Sequence, residues 1–498
     1  MKTKKTILNF ITDIIPLAIV SILGIFKIKI FIQTLGDETL GLYQLFSQIM
    51  TYIALVDGGL ASAVLYSLYK PNIENDNEKV NSILSGAFKV FSIIGAIVFL
   101  IAAIIAFVVP FLIKGNTFPY YYIVISFLLF SLSNVIGYFF VPIQSLLEVK
   151  EKKYIVNLGL QIGQIIQSIL EIILLLNGWS FFAVLIMHSV IKLLSNIAIT
   201  IVSKKVLPDY NLRSNNKSFE FVKKVKDLVF HKINGLVGSN IDVIIISKLL
   251  GLSSVAIYST YNYIINMLKQ ILGKVGSSML AIVGNEMVNN RERVYDLLLE
   301  TNALMFYIAT ILCIPLLFAI NGFIDIWYEG TIKTSQLIGL AFSLYLFCFI
   351  IKNTVSTFVT SAGLFKETKI CAIFDTIINL SLSLLLVFKF GISGVLFATS
   401  ASVIIAEFIM KNIVLHKHVF KKSVKYFYLK SLKYFVFSVF DLGIGIIIFK
   451  NVVISNLFIW FVIFIGYTLI NSIVVLFIYK LFKETIFIDR FKKILKRG

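Results

Sequence analysis

Residues 93–113, IIGAIVFLIAAIIAFVVPFLI, run without a charged side chain until Lys114. About 18 or more such residues are enough to cross a bilayer's hydrocarbon core as a helix. Similar runs recur along the 498 residues, which are 58% hydrophobic and 14% charged. A soluble domain carries about 25% charged residues. So much apolar surface cannot hide inside a water-soluble globule. The pattern excludes a soluble enzyme, a disordered chain and a secreted disulfide scaffold. It also argues against an outer-membrane barrel, whose strands alternate apolar and polar residues over about ten positions.

Fourteen spans are expected, at 7–33, 40–68, 84–112, 119–146, 154–176, 179–202, 225–250, 254–283, 297–320, 334–361, 370–388, 392–413, 426–449 and 454–479. The pair 225–250 and 254–283 is the most polar. Twelve spans, with one hairpin misread, is the alternative count. The net charge is +20, from 46 Lys+Arg against 26 Asp+Glu. The basic residues lie mainly between apolar runs, so they report topology and no nucleic-acid partner is expected. About 33 of them fall in segments that are inside if the N-terminus is inside, against about four outside: Lys114, Lys333, Lys389 and Lys450. Both termini are therefore expected in the cytoplasm. The start, MKTKKTILNF, reads as a retained first helix. Cys313, Cys348 and Cys371 have no CxxC spacing and read as small core residues.

An internal repeat is visible. LGDETLGLY at 35–43 aligns with LGLSSVAIY at 250–258, KEKKYI at 150–155 with KETKIC at 366–371, and NGWSFFAVL at 177–185 with FGISGVLFA at 390–398. The offsets are 215, 216 and 213. Six spans is an even number, so the two copies run parallel, as in transporters whose halves rock about a shared cavity. The expected organisation is an N-terminal lobe at 1–202, a cytoplasmic linker at 203–224, a C-terminal lobe at 225–413, and two extra helices with a basic tail at 414–498.

Ionisable groups inside spans are expensive, about 2.5–3.5 kcal/mol on insertion scales, and usually face protein or water. Span 1 carries Asp13, Lys27 and Lys29; span 2 carries Asp57. Span 5 has a polar stripe, Gln161, Gln164, Gln167, Ser168 and Glu171, that reads equally as a helix–helix seam or a cavity wall. Span 6 has His188 and Lys192, and His188 reads as a satisfied polar residue. Span 7 has Lys232, Asp242 and Lys248, of which Lys248 reads as snorkelling to the outer interface. Span 8 has Lys269. Further along are Lys352, Asp375, the (i, i+4) pair Glu407 and Lys411, and Asp441. Lysines dominate, which suits an anionic substrate better than a cationic one. Lys27, Lys29, Lys192, Lys232 and Lys269 are the candidate substrate-binding residues. Asp242, Asp13 and Asp57 are the candidates for coupling to a proton or Na⁺ gradient. No cofactor is expected, and the membrane potential is a further candidate energy source.

The turn LGDETLGLY, Asp57-Gly58-Gly59-Leu60, and Asp242 followed by KLLGLSSVAIYS, with basic turns after spans 4 and 10, resemble the Wzx-type polysaccharide flippases. These belong to the multidrug/oligosaccharidyl-lipid/polysaccharide exporter superfamily. The resemblance spans about 1–480. It implies an all-α membrane protein of two six-helix lobes in a V shape plus two extra helices. It also implies translocation of undecaprenyl-pyrophosphate-linked oligosaccharide by alternating access, in a bacterial cytoplasmic membrane, for O-antigen or capsule assembly alongside other polysaccharide-assembly membrane proteins. Lys27, nine residues before Gly36, looks like a basic cavity residue of the related lipid II flippases, whose span 8 arginine has no clear match here. The last two helices would form a groove for the prenyl tail. A pyrophosphate between spans 1 and 8 would be held by Lys27, Lys29 and Lys269, with Lys27 pointing in and Lys29 nearer the lobe edge.

Two competing functions are weaker. A membrane glycosyltransferase or polymerase needs a substantial outside loop, whereas the loop holding Asp37 and Glu38 is about six residues long. A drug/cation antiporter of the same superfamily should have a carboxylate-dominated interior. No GxxxxGK[ST] motif marks ATP-driven transport.

Overall fold

The computed structural model describes residues 2–115, 117–211, 215–223, 241–289, 293–449, 452 and 456–484, without the side chains of 2–15, 17, 274, 275, 277, 278 and 281. The described residues form helices and turns with no strand. Twelve helices among them are long and apolar enough to cross a membrane. Many large apolar side chains on these helices, such as Ile104, Ile447, Phe458 and Ile473, are exposed. Lipid satisfies such surfaces, and a helix satisfies its own backbone there. The chain is a multi-pass membrane protein.

Six of the twelve spans lie in residues 18–206 and six in 293–481. The remaining two expected spans are the polar pair. Most of 225–250 lies outside the described residues; its last part is the helix Asp242–Leu250. The other is the 38-residue helix Leu252–Asn289, whose Asn262, Asn266, Lys269 and Gln270 dilute its apolar character.

Contacts divide the chain into two units, Met1–Ala256 and Ile257–Gly498. The first contains α1 (Lys2–Leu35), α2 (Asp37–Ile53), α3 (Leu60–Ile73), α4 (Asn77–Ala106), α5 (Tyr120–Tyr138), α6 (Val141–Val149), α7 (Lys153–Leu176), α8 (Phe181–Val206), the short α9 (Glu220–Lys223) and α10 (Asp242–Leu250). The single helix expected over 40–68 is broken: a tight turn at Ala54–Asp57 separates α2 from α3. Asp57 caps the break by accepting from the Gly59 amide at 3.0 Å. The stretch expected as a linker lies against α4 where it is described. Ser218 N donates to Ser82 O at 3.0 Å, and Asn211 N to Asn81 Oδ1 at 2.8 Å. Helix α10 packs on α2 and clasps the loop after α4. Ser247 Oγ donates to Leu112 O at 2.9 Å, Lys248 Nζ to Phe111 O at 2.5 Å, and Lys114 Nζ to Leu249 O at 2.9 Å.

The second unit holds α11 (Leu252–Asn289) beyond its first turn, α12 (Arg293–Trp327), α13 (Gln336–Ser361), α14 (Lys369–Phe390), α15 (Ile392–Phe420), α16 (Lys425–Phe449) and α17 (Leu457–Leu481). The core helix α12 meets α16 and α17 through a ladder of polar contacts. Asn302 Nδ2 donates to Ser431 Oγ at 2.9 Å, Thr310 Oγ1 and Ser438 Oγ are 2.6 Å apart, and Tyr307 Oη is 2.6 Å from Ser472 Oγ. Small polar residues of this kind join helices where apolar burial gives no preference over lipid. Helix α15 widens to π-helical turns over Val403–Met410 and His416–Phe420. Glu407 and Lys411 form the expected one-turn ion pair there, at 2.6 Å.

The repeat has a structural counterpart at each anchor. Gly36 joins α1 to α2 with φ 84, and Gly251 joins α10 to α11 with φ 93. Lys153 begins α7 and Lys369 begins α14. Gly178 and Gly391, both with positive φ, stand between α7 and α8 and between α14 and α15.

Candidate functional site

In the first unit, two glycines on α7 let α8 approach closely. A Cβ at Gly159 would fall 2.4 Å from Ile199 Cγ1, and one at Gly163 would fall 2.1 Å from Ser195 Oγ. Further along, Glu171 on α7 therefore faces His188 on α8, and α1 packs along the same side of α7. Glu171 Oε2 accepts from His188 Nε2 at 2.8 Å and lies 3.3 Å from Lys27 Nζ. Glu171 is 1% exposed, and the Lys27 side chain 22%. The Tyr43 ring closes the cluster, 6.0 Å from Lys27 Nζ and edge-on to His188. Phe31 and Phe130 pack against Tyr43 and place it. A cation and an anion are thus joined in an apolar surround, where either charge alone would be costly.

The span 5 stripe is divided between buried and exposed positions. Ser168 and Glu171 are buried in the helix seam, whereas Gln164 is exposed. His188 is a satisfied buried residue, as its sequence setting suggested. Lys192, one turn further along α8, is half-buried. Lys29 is also half-buried. Two residues from Lys27, it points about 200° away around α1.

In the second unit, Lys269 on α11 meets α13. Its ammonium donates to Tyr345 Oη at 2.6 Å and sits 3.8 Å from the Tyr345 ring centre and 4.9 Å from that of Phe349. Lys352 approaches the same Phe349 ring at 5.6 Å. Aromatic faces attract a cation through their quadrupole, more strongly when water is excluded.

The coupling candidates stand on three different elements. Asp242 is buried, at 3% exposure, on α10. Asp57 serves as the turn cap described above. Asp13 lies on α1, with its side chain outside the described residues, and Lys232 also lies outside them. Lys248 is exposed near the end of its helix, with its ammonium on Phe111 O. The three cysteines are buried and free of disulfides.

An apolar cavity of about 990 Å³ in the second unit is lined by Phe306, Phe347, Phe408, Lys425, Tyr428 and Phe435, among others, from α12, α13, α15 and α16. Helix α17 contributes nothing to it, because its buried face is taken up by α12 and α16.

Sequence reasoning singled out Lys27 and noted Glu171 without joining them. It missed Tyr345 and Phe349 altogether. Aromatic residues in a 14% aromatic chain carry no signal until a cation is seen above them.

The sequence matches no family model and no curated protein. Solved structures do match. The chain is similar to a lipid II flippase, MurJ, in an inward closed conformation, with a TM-score of 0.72 at 19% identity, covering 96% of this chain and 99% of that one. It is also similar to an inward-facing multidrug resistance MATE family transporter of the MOP superfamily, with a TM-score of 0.64 at 15% identity over 82% and 99% of the two chains. A MOP superfamily transporter from Pyrococcus furiosus gives 0.58 at 14% identity over 84% and 97%. At these identities the likeness speaks for architecture, and the chain has the fold shared by the flippases and transporters of the MOP superfamily.

Proposed function

We propose that this protein translocates undecaprenyl-pyrophosphate-linked oligosaccharide repeat units across the bacterial cytoplasmic membrane by alternating access, for cell-surface polysaccharide assembly. The observation that carries this reading is the cationic character of its in-span polar residues, with Lys27 in one unit and Lys269 in the other set among apolar helices. An ammonium binds phosphate as a point charge and tolerates a ligand that moves. Lys192 and Lys232 are secondary contacts in this reading, and Lys29 lies at the edge of the site. The apolar cavity beside α16 suits a prenyl tail, with Lys425 at its lining. The likeness to a lipid II flippase supports a lipid-linked substrate. Asp242 is the first candidate for carrying a coupling ion, with Asp13 and Asp57 next, and both termini are cytoplasmic.

The test is complementation of a flippase-deficient strain, with analysis of the leaflet in which lipid-linked oligosaccharide accumulates. Lys27→Ala alone would leave Glu171 uncompensated, so the informative variant is Lys27→Ala with Glu171→Gln, beside Lys269→Ala. Loss of surface polysaccharide at normal membrane levels is expected for both. Full restoration at low expression would make these lysines structural. The second reading, a multidrug/cation antiporter, is favoured by the likeness to MATE transporters. It requires efflux of a cationic dye that Lys269→Ala leaves intact.

A further inference from the structure

The cation at the centre of the first unit already has an anion. Glu171 lies 3.3 Å from Lys27 Nζ and is almost wholly buried, whereas Lys27 retains accessible surface. The two ends of the pair are not equally enclosed. Glu171 is fixed by a second contact, His188 Nε2 at 2.8 Å, on a helix pinned to its neighbour by Gly159 and Gly163. Lys27 is a flexible four-carbon stem whose ring contact with Tyr43, at 6.0 Å, is loose.

We propose that Glu171 is a displaceable internal counter-ion that sets the charge a ligand must carry to engage Lys27. The idea rests on Lys27 being a ligand contact, as proposed above, and adds how that contact is filtered. To bind a phosphate, Lys27 must leave Glu171, and the carboxylate then stays behind held by His188. Exchanging one carboxylate for one monoanionic phosphodiester is close to even, so ordinary anionic phospholipids gain little at this site. A headgroup with two or more negative charges, such as a pyrophosphate, gains from the exchange because Coulomb attraction scales with ligand charge. An uncompensated lysine among lipid tails would be occupied by the phospholipids around it. With its own counter-ion it stays closed to them and open to a multiply charged headgroup. His188 is the positioning residue of this device, since it keeps a hydrogen bond on Glu171 when Lys27 departs.

The experiment uses the full-length protein in nanodiscs, with undecaprenyl pyrophosphate as the probe and neutral polyprenol as the control. Glu171→Gln removes the competing charge and keeps a hydrogen-bonding amide beside His188. In phosphatidylcholine discs it should bind undecaprenyl pyrophosphate about ten- to a hundredfold more tightly than the wild type, the weight of one charge-assisted contact. Its binding of neutral polyprenol should not change. In discs containing phosphatidylglycerol that gain should shrink, while wild-type binding should hold. Glu171→Asp, which withdraws the carboxylate by one methylene, should fall between the two and serves if the glutamine variant does not fold. Unchanged or weaker pyrophosphate binding in a folded Glu171→Gln protein, or wild-type binding that phosphatidylglycerol suppresses as strongly, overturns the proposal. Lys27→Ala with Glu171→Gln separates the two layers. If it binds as tightly as Glu171→Gln alone, Lys27 is no ligand contact and the functional reading fails with the filter. If it binds more weakly while Glu171→Gln gains nothing, Lys27 remains a contact and the filter alone is wrong.

Discussion

Lys27 stands nine residues before Gly36, and Asp242 nine residues before Gly251. The two glycines take nearly the same backbone conformation, with φ 84 and ψ 162 in one repeat and φ 93 and ψ 176 in the other. Tyr43 and Tyr258 end the two copies of the motif, and each packs against a phenylalanine, Phe130 or Phe342. The backbone turn and its aromatic anchor have therefore been kept while the charge one helix earlier has been inverted. The second cation, Lys269, is found on the other side of its turn, and its surroundings differ in kind. Lys27 is neutralised by a carboxylate, whereas Lys269 is held by a phenol hydroxyl and two ring faces. An ion pair cancels the charge a ligand would meet. A quadrupole steadies a cation and leaves its net charge in place. The lysine of the first unit meets a carboxylate, and that of the second meets a hydroxyl and two ring faces.

The largest expected effect tests that contrast. Lys27→Ala on its own leaves a buried carboxylate with His188 alone and should cost about 3–5 kcal/mol, the usual penalty for breaking a buried pair. Lys269→Ala removes a cation from rings that need none and should cost under about 2 kcal/mol. Thermal unfolding of the purified proteins in one detergent compares them. Equal losses would end the distinction between the two lysine settings.

Next come the two turns. Both glycines occupy a backbone region that other residues enter at a cost of about 1–3 kcal/mol. Gly251→Ala should be the more damaging, because its new Cβ would lie 3.1 Å from Lys114 O, while nothing lies within 4 Å of one at Gly36. Membrane-inserted yield and melting temperature would report the order; a larger loss at Gly36 would contradict it. Tyr345→Phe should cost about 1 kcal/mol, since it removes one hydrogen bond to Lys269 and keeps the ring. A loss as large as that of Tyr345→Leu would mean that the hydroxyl, not the ring face, is what holds the lysine.

The smallest effect concerns another carboxylate that gathers lysines, at the end of α17. Glu484 accepts from Lys430 at 2.5 Å, Lys433 at 2.9 Å and Tyr434 Oη at 2.9 Å. Burial raises its carboxyl pKa, but these hydrogen bonds and the Lys430 charge outweigh burial and hold it below the ordinary glutamate value. A depressed carboxylate pKa stabilises the fold above the unfolded-state pKa, and the gain is lost as pH falls through the folded value. Wild type should therefore melt slightly above Glu484→Gln at neutral pH and converge with it in acid. A gap that widens in acid would reverse the sign and refute the pairing.

The spans were legible because bilayer thickness imposes a minimum apolar length that shows in any one stretch of sequence. The repeat was legible because three short matches share one offset, and its anchors fall on helix starts and turns such as Lys153, Lys369, Gly178 and Gly391. The break after α2 was harder to see. Asp57, Gly58 and Gly59 lie inside an apolar run, and hydropathy averages over the turn that they make. The lysines of the candidate site could be named because a charge in a span is costly wherever it sits. Their partners could not. Glu171 is 144 residues from Lys27 in sequence, and no periodicity links residues on different helices. Tyr345 and Phe349 look like any other apolar positions until α13 lies beside α11.

Helix α10 belongs to the second repeat by sequence and to the first unit by packing. A chain in which a helix of the second repeat packs into the first unit cannot be divided between its repeats without breaking contacts. A fragment ending within 203–224 would contain a full repeat and still lack Ser247 and Lys248, which close its loop at Leu112 and Phe111. The complementary fragment would begin with a helix whose packing partner had been left on the other piece. Each copy has thereby become free to diverge in charge, Lys27 in one and Asp242 in the other, without becoming free to leave. Because both repeats lie in one chain, a cation at one turn and an anion at its mate can coexist, while α10 keeps the second repeat tied to the packing of the first unit.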